Sequence, residues 1–194
     1  MENGKLSEPK STGAFEVSKE IKFWINKGAV SLREVLPWCL SEHKVDTALV
    51  VSRDATKEGN KKVEESTRRI FGQKILKSFW ATGWPGTELF QTNRKWASTG
   101  RVYVIRFDLE TLEQILATEN DLFQWNHVRA VPLPEDLCVF RNGSKYPAFY
   151  SVTHERDAYS LSDTPPPGFE AETWSESKWF VWDGPYFCRV LKGR

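Results

Sequence analysis

The chain has 194 residues, a size at which one hydrophobic core can be buried and two complete domains are not expected. Apolar residues form 40% of it and charged residues 27%, well away from the low-hydrophobicity, high-charge balance that keeps chains unfolded. Lys and Arg number 27 against 26 Asp and Glu, so no overall field draws the protein to nucleic acid or to an anionic membrane.

Residues 1–14 are polar, contain Pro9 and Gly13, and hold no apolar run fit for a signal peptide; they read as a disordered leader. Residues 15–194 read as a single α+β domain. No stretch approaches the roughly 20 apolar residues of a membrane span, which points to a soluble, cytoplasmic protein. Cys39, Cys138 and Cys188 are odd in number and unpatterned, as expected of reduced thiols buried as small hydrophobes.

In chain order, Ser18 can cap a short helix carrying Ile21, Trp24 and Ile25 on one face, with Gly28 as its stop. Ser31 and Glu34 fit a capping box, and Pro37 divides the following helical stretch into two pieces. Residues 47–51 are β-branched and nearly continuously apolar, so they predict a central strand covered on both faces. Beyond a polar turn, Val63, Ile70, Phe71, Leu76, Phe79 and Trp80 keep helical spacing, which predicts a long helix stopped at Gly83. Residues 101–107 read as a strand. Asp108 then caps a helix with Leu109, Leu112, Ile115 and Leu116 inward, and Phe107 with Leu112 supplies a hydrophobic staple. Strands follow at 137–141 and 148–153 around an Asn142-Gly143 two-residue turn, then at 158–162. Residues 164–168, with three consecutive prolines, must be a loop, and residues 178–182 and 186–191 read as a closing hairpin. The predicted fold is α+β, with N-terminal helices packed on one face of a mostly antiparallel sheet ending in a C-terminal β-meander.

Nine tryptophans stand out against the roughly two or three that an average chain of this length carries. Trp80 and Trp84 flank a glycine-bearing turn where backbone could approach a ligand, and Trp96 lies among Arg94, Lys95 and Arg101. Trp174, Trp179 and Trp182 form a second cluster. Strand alternation at 178–182 leaves both faces aromatic, so one of them is a candidate surface patch.

Acid–base chemistry has one candidate string, Thr153-His154-Glu155-Arg156-Asp157, which gathers an imidazole and two carboxylates in a turn. A solvated turn needs the same residues. Cys39 and His43 at i and i+4 could share a metal, but two ligands are too few, and no cofactor or metal is implied. The nucleophile elbow, Rossmann glycines, phosphate loop and kinase motifs are missing. The resulting expectation is a non-catalytic protein-interaction domain, immunity-like or regulatory, that binds another protein through Trp80, Trp84, Trp96, Trp174, Trp179 and Trp182. One alternative is a small enzyme or nucleotide-ligand-binding protein with a Trp-lined pocket and His154, Glu155 and Asp157 as acid–base groups. The other, disfavoured by the neutral charge, is a single-stranded nucleic-acid binder using Arg94, Lys95, Trp96 and Arg101.

Overall fold

A computed structural model describes residues 22–26, 28–53, 56–81, 84, 100–126, 130–142 and 147–171. In chain order they form β1 (Lys22–Asn26), α1 (Leu32–His43), β2 (Val45–Ser52), α2 (Lys57–Phe71), β3 (Ile75–Ala81), β4 (Gly100–Arg106), α3 (Leu109–Thr118), β5 (Glu135–Arg141), β6 (Pro147–Val152), β7 (Asp157–Ser162) and β8 (Glu170–Ala171). The strands make one sheet in the order β3-β4-β2-β5-β6-β7-β1-β8, and every pairing is antiparallel. The β5-β6-β7 run is the expected meander, and the fold class is α+β.

Alternation along β2 separates two core layers. Ala48 and Val50 face the layer that holds Leu32, Val35, Leu36 and Cys39 of α1, Phe71 of α2, and Leu112 and Ile115 of α3. Leu49 and Val51 face the opposite layer with Val102, Val104, Cys138, Phe140 and Trp84. The described helices therefore sit on one face, and β2 is central and buried on both, as its apolar run predicts.

Five local expectations are corrected. The segment around Trp24 is not a helix: Lys22–Asn26 is a strand held between β7 and β8, where the β-forming run Phe-Trp-Ile finds partners far away in sequence. The two helical pieces around Pro37 are one continuous helix, and the Ser31 side chain makes no capping bond. Asn120 takes that part instead: its side chain accepts from the Arg33 N–H at 3.0 Å and its carbonyl from the Leu32 N–H at 2.9 Å. The long helix ends at Phe71, not Gly83, because Gly72 turns the chain with φ of 45°, a conformation that favours glycine. Leu76, Phe79 and Trp80 then belong to β3. Leu109 is 70% exposed, although Leu112 and Ile115 of the same helix are buried as expected. The last β5–β6 pair is Phe140 with Pro147, which is too wide a gap for a two-residue Asn142-Gly143 turn. The closing hairpin, the leader, and Trp96, Trp174, Trp179 and Trp182 lie outside the described residues.

Gly100 opens β4 at a closely packed point of the layer opposite the helices. A Cβ there would stand 2.7 Å from Val51 Cγ1 and 3.1 Å from the Trp84 ring. Gly100→Ala is expected to destabilise the fold by about 1–3 kcal/mol through this overpacking, read as a lower urea midpoint at unchanged slope.

Candidate functional site

In β3, Phe79 and Ala81 join the layer opposite the helices, so Ser78 and Trp80 point to the helix-bearing face. On β4, Tyr103 stands in register with Ser78 and Arg101 with Trp80. Arg101 Nε and Nη2 each donate to Ser78 Oγ at 3.3 Å, and Nη1 reaches Glu64 Oε2 on α2 at 3.4 Å. Arg68, one turn further along α2, places its guanidinium carbon 5.7 Å from the centre of the Tyr103 ring, and that of Arg101 lies 5.9 Å away. Both contacts are cation–π in geometry. This face therefore gathers Glu64, Arg68, Ser78, Trp80, Arg101 and Tyr103 from three elements.

Two hydroxyls beneath it are completely buried: Ser52 Oγ, on the β2 residue in register with Arg101, has no hydrogen-bond partner among the described residues, and Tyr103 OH faces the Glu64 carboxylate without a close hydrogen bond. Burial, reinforced by the nearby Glu64 carboxylate and opposed by Arg68 and Arg101, pushes the Tyr103 phenol up to about 12. It therefore stays protonated at neutral pH and can donate to the acceptor beside it.

Trp80 and Trp84 are four residues apart in sequence but on opposite faces of the sheet. Trp84 is fully buried, and its indole Nε1 donates to Asp136 Oδ2 at 2.7 Å. Asp136 sits at a β-bulge between β2 and β5 with φ of 55°, a left-handed conformation that Asp tolerates. Its other oxygen, Oδ1, accepts from the Thr153 N–H at 2.8 Å, and its own N–H donates to Thr153 Oγ1 at 3.1 Å. Beside it, buried Glu135 faces Arg53 Nε at 3.9 Å, and the Arg53 guanidinium lies 6.0 Å from the Trp84 ring centre. Sequence reasoning missed this network. The adjacent carboxylates Glu135 and Asp136 at the head of an apolar strand were its one visible signal.

His154, Glu155 and Asp157 share one turn after β6. His154 Nε2 and Glu155 Oε1 lie 3.6 Å apart with both side chains close to half exposed, and Asp157 Oδ2 accepts from the Tyr159 hydroxyl at 3.0 Å. The turn is linked to Trp84 through the Thr153–Asp136–Trp84 bonds. The Cys39–His43 pair lies on α1 as its spacing requires. Burial raises the Cys39 thiol far out of the thiolate range and, with help from Arg141, lowers His43 to about 4 against the opposing pull of Asp163. A protonated thiol is a poor ligand, and among the described residues no three His, Cys, Asp or Glu come together as a metal site. No helix among the described residues is long and apolar enough to cross a membrane.

Comparison with family models, curated proteins and solved structures finds no match. What the chain does must be argued from its own geometry.

Asp136→Asn keeps the size and the tolerance for a left-handed backbone but turns one acceptor into a donor facing either the Trp84 N–H or the Thr153 N–H. A loss of about 1–3 kcal/mol in chemical denaturation is expected; unchanged stability would mean that the carboxylate does not hold these two groups together.

Proposed function

We propose that this chain is a non-catalytic protein-interaction domain of the cytoplasm that engages its partner through the face of β3 and β4 centred on Trp80. One observation carries the reading: among the described tryptophans, Trp80 alone packs against neither core layer. Trp84 and Trp125 are buried in the two layers, while Trp24 and Trp38 lean on the helix-side one. A partly exposed indole beside two guanidiniums has the composition of a binding hot spot, since Trp, Tyr and Arg supply most of the energy at protein interfaces. Leu76, on the same strand, adds a side chain that is 52% exposed. Placement in the cytoplasm is supported by the two described cysteines, Cys39 and Cys138, both free and buried.

The enzyme alternative asks for a cleft in which Trp80 and Trp84 meet the acid–base groups. Their places on opposite faces, with His154 and Glu155 turned to solvent, favour the interaction reading.

The test is a photo-crosslinking residue, benzoylphenylalanine, placed at position 80 in the producing cell, with the more exposed position 109 on α3 as a control. A discrete adduct from position 80 that is absent from position 109 and diminished by Arg101→Gln is expected. No adduct, or the same adducts from both positions, would contradict the proposal.

A further inference from the structure

Taking the interaction reading as its basis, we infer that Arg101 and Arg68, beside Trp80, receive a carboxylate from an acidic segment of the partner protein, in competition with the chain's own Glu64. Among the described residues the charge count at this place is unbalanced: two guanidiniums adjoin one carboxylate. Arg68 forms no ion pair among the described residues and rests on the Tyr103 ring. Glu64 itself is a weak occupant. It touches Arg101 through a single N–O approach of 3.4 Å, whereas a well-made arginine–carboxylate pair closes to about 2.7–2.9 Å and commonly uses two parallel bonds. Arg101 meanwhile spends its Nε and Nη2 on the neutral Ser78 hydroxyl, two bonds of 3.3 Å that a second carboxylate would improve upon.

A second observation stands apart from the charges. Among the described residues the Ser52 hydroxyl, fully buried on the same face, has no hydrogen-bond partner, and the buried Tyr103 hydroxyl faces the Glu64 carboxylate without a close hydrogen bond. If a partner's carboxylate displaced that of Glu64, it would meet the same phenol donor. The indole of Trp80, in register with Arg101, offers an apolar flank for the methylenes of a glutamate or for a neighbouring apolar residue. A peptide carboxylate fits these features better than a nucleic-acid strand, because the chain as a whole carries a net charge of only +1 and provides no broad field for a phosphate backbone.

Binding of a fluorescein-labelled hexaglutamate peptide to the full chain, followed by anisotropy at low ionic strength, tests this directly. Arg101→Gln and Arg68→Gln are each expected to weaken binding by about tenfold, while Glu64→Gln, which removes the internal competitor, is expected to tighten it by about threefold. Thermal melting of each variant separates loss of binding from loss of fold. The tightening is the informative arm, since a purely structural Glu64–Arg101 pair would give weaker binding, or none, when broken. Absence of peptide binding to the wild type, or equal or weaker binding by Glu64→Gln, overturns the inference. So does tighter binding of an oligothymidylate of equal charge, which would point to phosphate. If the adduct at position 80 forms while the peptide fails to bind, the interaction surface stands and its acidic partner does not.

Discussion

The carboxylate of Asp136 is the interaction on which the rest of the arrangement depends. It is fully buried, and it is spread over the Trp84 indole and the Thr153 backbone in bonds of 2.7 and 2.8 Å. A buried charge is tolerated only where such donors replace water, so the position of each donor is fixed by the need to satisfy it. The consequence reaches well beyond β5. Trp84 follows β3 in the chain, and Thr153 follows β6, so one side chain ties the edge of the sheet to its middle.

That tie decides what the two neighbouring tryptophans do. With Trp84 drawn under the sheet towards Val51 and Gly100, the alternation of β3 places Phe79 and Ala81 on the same side. Ser78 and Trp80 are left facing α2. The space beside them is filled by charge and hydroxyls instead of hydrocarbon: Glu64 and Arg68 from the helix, Arg101 and Tyr103 from β4.

Those parts of the fold that rest on local chemistry were legible in the sequence. The apolar run of β2, the β4 strand, and the Asp108 cap, whose carboxylate accepts from the Thr111 N–H at 2.9 Å, follow from periodicity and capping rules. Parts that rest on distant partners were not. Ile21, Trp24 and Ile25 are spaced as on a helix, yet Lys22–Asn26 pairs with β7 and β8 near the other end of the described chain. The first turn of α1 is capped by Asn120, 87 residues away from Arg33, so the local Ser31–Glu34 pattern misled. At α2 the spacing of Ile70, Phe71 and Leu76 continued a helix that Gly72 had already ended. For the site, the sequence singled out Trp80 and Arg101 without showing that they adjoin, and grouped Trp80 with Trp84 although a sheet separates them. Asp136 was marked only by its place beside Glu135 at the head of an apolar strand, and nothing local distinguishes a carboxylate in a bulge from one in a turn.

The division of labour between Trp84 as core and Trp80 as display is the central claim, and acrylamide quenching of tryptophan fluorescence in Trp80→Phe and Trp84→Phe, combined with urea unfolding, tests it most directly. Trp80→Phe should remove part of the readily quenched fluorescence and change stability by less than about 0.5 kcal/mol. Trp84→Phe should remove shielded emission, leave the readily quenched component unchanged and destabilise by about 1–3 kcal/mol, because Asp136 loses its indole donor. A shielded Trp80 whose replacement destabilises the fold as much as that of Trp84 would contradict the account.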